Sequence, residues 1–325
     1  MSRSLRTTLT AAGLLLGLAL PSSAQVVTTQ GVPAFDAAHL RPDQVAFRET
    51  FRELVETDTT LSNGSCTLAA ERMAARLRAA GFSDDQLTVF STPEHPKNGG
   101  LVAVLPGDNS GGGPILLLAH LDVVEARRAD WSRDPFALVE EGGYFYARGV
   151  ADTKALAAAW VDILARLRAE GRTPRRTLKL ALTCGEESGA FNGAQWLVAN
   201  RPELIQADFV LNEGGGGETD GQGRLIVQSL QVGEKTYQDY GLTTVDAGGH
   251  SSIPIRDNAI YQLAEALLKV RDHGFPIEMT DTTRTYLDRS GRVLGGELGG
   301  AMQALSADPA DAAAEARVTQ DRGLN

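Results

Sequence analysis

A histidine and several carboxylates stand at the ends of the short apolar runs of this chain. They follow three such runs or precede a long helical stretch: His120 with Asp122, Glu186 with Glu187, Glu213, and Asp152. In parallel α/β sheets, ligand sites form at the carboxyl ends of the strands, so these side chains are expected to converge. Converging carboxylates repel one another unless they are protonated or hold cations. Carboxylate and imidazole ligands suit Zn²⁺, with Mn²⁺ or Co²⁺ possible, and the series predicts a site for a divalent metal pair.

Each of these residues also has a plainer interpretation. His120 alone would be an ordinary loop histidine, and the Glu186–Glu187 pair a solvated surface run. Asp152 could simply cap the helix that follows it. Glu213, which precedes four glycines, could belong to a turn. The order of the series, with each member at the boundary of an element, favours the metal site.

The elements that must position these residues alternate between strand and helix. Short apolar runs predict strands over Gln86–Phe90, Leu101–Leu105, Ile115–Ala119, Leu178–Thr183 and Phe209–Leu211. Amphipathic spacing predicts helices over Pro42–Thr57, Thr67–Ala80, Thr153–Glu170 and Gly193–Asn200. This alternation predicts an α/β domain with a largely parallel central sheet flanked by helices.

The pattern changes after Asp220. Leu225–Val232 and Tyr237–Val245 have the composition of paired β segments, and Asn258–Val270 has the spacing of a helix. The last stretch, Ala301–Asn325, is rich in Ala and Asp and shows no closing element. We therefore expect a second, α+β module to begin here.

Composition excludes several classes of protein. The chain has 325 residues, 42% of them hydrophobic, with 31 Lys and Arg against 41 Asp and Glu, a net charge of −10. This composition excludes a disordered tail, a collagen-like repeat and a polytopic membrane protein. The acidic balance argues against nucleic acid as a partner. Cys66 and Cys184 can form one disulfide at most, and the sequence leaves open whether they pair.

The first 24 residues have the pattern of a secretory signal peptide. Arg3 and Arg6 precede the uncharged apolar run Ala11–Leu20, and the small residues Ser22–Ala24 offer a cleavage site before Gln25. The alternative is an N-terminal membrane anchor, but the run is far shorter than the ~20 residues that span a bilayer. We expect a secreted or periplasmic protein that has no membrane association after cleavage.

Five segments in order give a specific resemblance to a known family. LLLAHLDVV, ARGVADTKA, TCGEESG, VLNEGGG and GGHSSIP resemble the successive motifs of the M20 (M20/M25/M40) metallopeptidases, which include carboxypeptidases, dipeptidases, aminoacylases and desuccinylases. The segment EKTYQDYGLTTVDAGGHSSIP is most similar to the carboxypeptidase S-like branch. The resemblance implies a zinc-peptidase-like catalytic domain over 25–233, after a signal peptide over 1–24. It also implies an inserted, ferredoxin-like α+β lid or dimerisation domain, present in part over 234–325.

The resemblance also implies a set of metal ligands. His120 and Glu213 would hold one zinc, Asp152 would bridge both ions, and Glu187 would bind the second. A cis peptide bond is implied between Asp152 and Thr153. The family's last histidine ligand lies in a returning portion of the chain, and no histidine follows His273 here. We therefore expect the chain to be truncated within the small domain and the second of the two zinc sites to be weak.

Three further roles are implied. Asp122 would orient His120 through its other ring nitrogen. Glu186 would be the general base that takes a proton from the metal-bridging water and later gives it to the leaving nitrogen. His250, from the small domain, would reach the partner subunit's active site in a homodimer and help bind the substrate carbonyl.

The sequence thus predicts an exported dinuclear zinc peptidase that cleaves an amide next to a free carboxylate, a carboxypeptidase or a dipeptidase acting on short peptides. Two alternatives stay open. One is an N-acyl-amino-acid amidohydrolase with the same metal chemistry. The other is a truncated, non-catalytic remnant that binds metal or a partner.

Overall fold

A computed structural model describes residues 39–325 apart from Ser188, Gly221, Lys235, Tyr237, Ser251, Arg322 and Asn325. The predicted signal peptide lies outside the described residues. Of the described residues, those within Pro33–Gly216 and Ser229–Arg271 form one compact unit, and those within Gly217–Gln228 and Asp272–Asn325 form a second.

A five-stranded sheet is the centre of the first unit. Its strands are β1 (Leu87–Phe90), β2 (Gly100–Leu105), β3 (Ile115–His120), β6 (Leu178–Thr183) and β7 (Phe209–Leu211), in the spatial order β1-β2-β6-β3-β7. β3 runs parallel to both β6 and β7, whereas β2 is antiparallel to β1 and β6. A separate hairpin joins β4 (Val139–Glu141) to β5 (Tyr144–Tyr146). The predicted α/β class with a central sheet is confirmed.

Helices cover the sheet because each has an apolar face. They are α1 (Pro42–Val55), α2 (Cys66–Ala79), α3 (Lys154–Ala169), α4 (Gly193–Asn200) and the short α5 (Pro202–Ile205). Apolar side chains from α1, α2, α3 and the sheet form the main core, where Leu54, Met73 and Leu180 are fully buried. The amphipathic spacing found in the sequence is the source of this packing, and the ends of the predicted helices differ from the observed ones by at most two residues.

One disulfide crosses this core. Cys66, the first residue of α2, is bonded to Cys184, the residue after β6, across 118 positions of sequence. In the chain-entropy description, a cross-link of this span stabilises the fold by about 4–5 kcal/mol.

The stretch after β7 differs from the prediction. β8 (Gly216–Thr219) pairs with β9 (Leu225–Ser229), and α6 (Ala259–Asp272) follows. The strand predicted over Tyr237–Val245 is wrong for the described residues of that range, none of which lies in a strand. A strand needs a neighbour for its backbone hydrogen bonds, and the described residues of this segment pair with no other strand.

The second unit has its own helical core. Helices α7 (Asp281–Leu294), α8 (Gly296–Ala307) and α9 (Ala312–Val318) bury a cluster that includes Leu287, Met302 and Val318. No element was predicted in Ala301–Asn325, whereas α8 extends to Ala307 and α9 covers Ala312–Val318. The domain division at 233/234 and the lid or dimerisation role of 234–325 stay predictions. No helix in the described part of the chain has the length and apolarity needed to cross a membrane.

Candidate metal centre

The register of the sheet brings the predicted residues to one edge. His120 is the last residue of β3 and lies opposite Thr183, the last residue of β6. Because β3, β6 and β7 are parallel, the segments that follow them leave the sheet on the same side. Glu186 and Glu213 come within three residues of the ends of β6 and β7.

Three carboxylates surround the outer nitrogen of His120. Its Nε2 lies 3.1 Å from Asp152 Oδ1, 3.5 Å from Glu213 Oε1 and 3.9 Å from Glu186 Oε2. His120 itself is only 3% exposed, whereas the three carboxylates reach solvent. The site is a group of partly exposed carboxylates around a buried imidazole.

The donor atoms are close enough to share metal ions. His120, Glu186 and Glu213 form one group whose donor atoms all lie within 4.8 Å of one another, and His120, Asp152 and Glu187 form a second. The two groups share the histidine, and all five predicted residues take part. The donor set of one imidazole and four carboxylates fits Zn²⁺, Mn²⁺ or Co²⁺. The division into metal ligands and base stays a prediction.

Asp122 connects the histidine to the glutamate pair. The Nδ1 atom of His120 lies 2.9 Å from the backbone oxygen of Asp122 and 3.6 Å from its carboxylate Oδ1. The other carboxylate oxygen, Oδ2, accepts a hydrogen bond of 2.9 Å from the backbone N–H of Glu187. The backbone oxygen of Asp122 is thus the atom within hydrogen-bond distance of the ring, and the orienting role of the Asp122 carboxylate stays a prediction.

The Oδ1 atom of Asp122 is a buried acceptor without a donor. It has no hydrogen-bond partner among the described residues. Asp122 adjoins a cavity of about 10 Å³ whose lining includes Thr59, Cys66, Asn98 and Cys184. A buried carboxylate oxygen is costly unless a positive charge lies near it, and the His120 imidazole is the group that can supply this charge.

The pKa values reflect this concentration of acids. Burial alone would lower the pKa of His120, but Asp122 and Glu213 outweigh it and raise the pKa to about 9. Burial raises the pKa values of Glu186 and Glu187, and the neighbouring carboxylates raise them further. Without a cation, these groups therefore hold their protons to a higher pH than the isolated side chains would, as is expected of carboxylates that share a site.

Asp152 is held at the entry to α3. The peptide bond between Asp152 and Thr153 is cis, which confirms the geometry implied by the family resemblance. Lys154, the first residue of α3, is fully buried, and its Nζ donates a hydrogen bond of 2.8 Å to Thr57 O. Burial lowers the pKa of Lys154 to about 7.

Lys154 and the segment that it contacts are not among the residues predicted from the sequence. A lysine in the first turn of a helix is unfavourable beside the positive end of the helix dipole. That unusual position was the feature of the sequence that could have marked Lys154 as a residue with a special role. Thr59 Oγ1 donates to Leu121 O at 2.7 Å, and Thr60 forms a β-bridge with Val123. Thr57–Thr60 therefore supports the loop that carries Asp122.

His250 lies apart from this network. It is exposed, and its Nδ1 accepts a hydrogen bond of 3.2 Å from the backbone N–H of Ser252. Among the described residues, it belongs to neither candidate metal group that contains His120. Its predicted substrate role stays a prediction.

Comparison with known proteins identifies the family. A sequence profile of peptidase family M20/M25/M40 matches residues 116–306, more than half of the chain. Rat aminoacylase-1A is 29% identical over 230 residues, which cover 68% of this chain and 53% of that protein. A zebrafish protein named N-fatty-acyl-amino acid synthase/hydrolase PM20D1.1 is 33% identical over 175 residues, covering 52% of this chain and 34% of that protein.

A solved structure shares the fold. The M20 family metallo-carboxypeptidase Sso-CP2 from Sulfolobus solfataricus superposes with a TM-score of 0.51 at 21% identity, covering 77% of this chain and 59% of that one. The chain spans about half the length of the aminoacylases that it matches. With this profile match over more than half of its length, the chain belongs to the M20/M25/M40 family of metallo-hydrolases.

Proposed function

We propose that this chain carries the metal-binding and proton-transferring residues of a dinuclear zinc hydrolase, which cleaves an amide bond next to a free carboxylate. One observation carries the proposal: His120, Asp152, Glu186, Glu187 and Glu213, distant in sequence, place their donor atoms in two overlapping groups. Without a counter-charge, carboxylates that share a site repel one another and hold protons more tightly.

The residues fit a pair of metal ions, and one of the two sites has more ligands than the other. His120 and Glu213 would hold the first ion, Asp152 would bridge, and Glu187 would hold the second. Bound zinc supplies a Lewis acid that polarises the amide carbonyl and makes water more acidic. Three of the residues named here would thus contact the first ion and two the second.

Glu186 is proposed as the group that moves the proton. Its side chain is 55% exposed, so it can reach an incoming water, and its raised pKa favours proton acceptance. It takes a proton from the attacking water as the new C–O bond forms. It returns that proton to the amide nitrogen as the C–N bond breaks, so it ends unprotonated. Asp122 keeps the His120 ring oriented throughout.

Two substrate classes share this chemistry. The likeness of the EKTYQDYGLTTVDAGGHSSIP segment to the carboxypeptidase S-like branch supports a carboxypeptidase or dipeptidase. The curated relatives, named as aminoacylases and as an N-fatty-acyl-amino acid synthase/hydrolase, favour N-acyl amino acids instead. Both classes place a free carboxylate beside the scissile amide.

Export and dimerisation complete the proposal. The pattern of the first 24 residues supports secretion or a periplasmic location, and the Cys66–Cys184 disulfide supports an oxidising compartment. We propose that the mature protein forms a homodimer in which His250 contributes to the partner subunit's site. The exposure of His250 leaves it available for such a contact.

The variant Glu186→Gln tests the assigned base. It should bind as much zinc as the wild type, measured by elemental analysis, but hydrolyse no amide, because the amide side chain cannot accept the proton. Glu265→Gln, an exposed change on α6, is the matched control and should keep both properties. An active Glu186→Gln variant would refute the assignment.

A substrate panel separates the two classes. The zinc-loaded chain is given dipeptides and N-acyl amino acids with the same C-terminal residue, and release of that residue is measured. Faster hydrolysis of dipeptides supports the peptidase, and faster hydrolysis of the acylated set supports the amidohydrolase. A chain that binds zinc but hydrolyses neither set contradicts catalysis and favours a metal-binding remnant.

A further inference from the structure

One cysteine of the disulfide lies next to the segment that carries Glu186 and Glu187. Cys184 directly follows β6 and lies two residues before Glu186. Cys66 is the first residue of α2, a helix whose apolar face lies in the main core. The covalent bond therefore ties the start of the glutamate segment to one of the most buried helices of the unit.

The backbone directly after Cys184 leaves no room for a side chain at Gly185. Gly185 has a φ of 87°, and a Cβ at this position would lie 1.7 Å from Phe191 O. Cys184 O accepts a hydrogen bond of 2.7 Å from Gly193 N, and Asn192 Nδ2 donates to Gly185 O at 3.0 Å. These contacts close the loop that carries both glutamates, and the disulfide fixes its first residue.

The disulfide also adjoins Asp122. One carboxylate oxygen of Asp122 and both sulfur atoms lie within 4.8 Å of one another, and all three residues are buried. Asp122 in turn accepts the Glu187 N–H and contacts His120. A continuous series of contacts thus runs from α2 through the disulfide and Asp122 to His120, the last residue of β3, and to Glu187 after β6.

The N-terminal end of α2 is itself well anchored. Ser65 caps the helix by accepting a hydrogen bond of 3.1 Å from Leu68 N, and Ser65 N donates to Asp58 O at 2.9 Å. The neighbouring Thr57 is held by Lys154, two residues after Asp152. A rigid anchor on one side of the disulfide makes the loop on the other side the part that moves if the bond is broken.

We propose that the Cys66–Cys184 disulfide is a positioning element of the metal centre, which holds Glu187 and Asp122 at the spacing needed for metal binding. This inference rests on the metal centre proposed above. It predicts that an agent of the dithiol class, which reduces the bond to two thiols while becoming a disulfide itself, weakens metal binding in a chain that stays folded.

The test compares zinc binding in the wild type with that in the double variant Cys66→Ala/Cys184→Ala. Both cysteines are replaced so that no thiol remains to bind the metal. The zinc dissociation constant, measured by competition with a chromogenic chelator, should rise at least about 10-fold, as for other groups that support metal ligands. Equal affinity in a folded double variant would overturn the proposal.

A control removes the effect of lost stability. Leu77→Ala also destabilises α2, but Leu77 lies eleven residues beyond Cys66, about 16 Å along the helix. It should lower the melting temperature and leave the zinc affinity unchanged. If it weakens zinc binding as much as the double variant does, the disulfide acts through stability alone and the proposal is wrong.

Hydrogen exchange of the metal-free chain gives a readout without zinc. In the double variant, the Glu187 amide should exchange faster because its acceptor, Asp122, is no longer fixed. The Leu180 amide in the centre of β6 should keep its protection. Unchanged protection at Glu187 would contradict the proposal.

Two further cases are covered by the same exchange measurement. If the double variant does not fold, wild-type protein reduced under native conditions and freed of reductant takes its place. Faster exchange at Glu187 then supports the proposal, and unchanged exchange overturns it. If the wild type binds no zinc, the proposed function fails, while exchange at Glu187 still decides whether the disulfide positions the loop.

Discussion

Two regions of this chain carry residues that the sequence predicts to be functional, and these residues differ in burial and in hydrogen bonding. The edge formed by β3, β6 and β7 holds His120 almost fully buried, with hydrogen bonds to groups from separate segments. The stretch 230–257 carries His250, which is exposed and bonds within its own turn. The side chains of a motif on packed strands are held in position by the core. The side chains of a motif on exposed loops need contacts with other groups to hold them in position.

The largest difference between the two regions is expected when one leucine in each is truncated. Leu180 on β6 is fully buried, whereas Leu230 is 79% exposed. Leu180→Ala should lower the free energy of unfolding by about 2–5 kcal/mol, because a cavity is left in a packed core. Leu230→Ala should change it by no more than about 0.5 kcal/mol. Urea denaturation checks both, and equal losses would show that 230–257 is packed as tightly as the sheet.

Zinc affinity separates the two histidines. His120→Ala should weaken zinc binding by more than the roughly 10–100-fold that follows loss of a supporting group, because it removes a donor common to both metal groups. His250→Ala in the same chain should bind zinc like the wild type. Isothermal titration calorimetry measures both constants, and a zinc defect in His250→Ala would place that histidine in the metal centre.

A smaller effect on zinc binding is expected from Asp122. Asp122→Asn keeps the shape but removes the charge beside His120, so zinc affinity should fall by about 10–100-fold. The matched change Asp246→Asn affects a carboxylate that accepts hydrogen bonds from Gly248 N and Ala259 N, and it should leave zinc affinity unaltered. The same chelator competition applies to both, and an unaffected Asp122→Asn would remove Asp122 from the supporting groups.

Stability should also depend on pH through the charge of His120. The pKa of His120 is raised to about 9 in the metal-free fold, against about 6.5 in an unfolded chain. Its contribution to stability is therefore complete below pH 6.5 and is lost as the pH rises through 9. The difference in unfolding free energy between the wild type and His120→Gln should shrink over this range. A difference that stays constant with pH would contradict the raised pKa, and His250→Gln serves as the control.

The site was more predictable than the region after it. His120, Glu186 and Glu213 follow apolar runs that became parallel strands, so their convergence followed from the sequence pattern. Lys154 was missed because a buried cation depends on an acceptor, Thr57 O, 97 residues away. For the described residues of Tyr237–Val245 the predicted strand was wrong, because composition favours an extended chain without supplying a neighbouring strand.

The sequence by itself determined the α/β class, the order of the ligand-bearing segments and the family, since apolar periodicity and motif order are local properties of the chain. Only the tertiary structure decided that Cys66 pairs with Cys184, that Asp122 bonds to the Glu187 amide, and that α7, α8 and α9 pack into a separate core. These features join residues that are distant along the chain, and their geometry follows from how the elements pack.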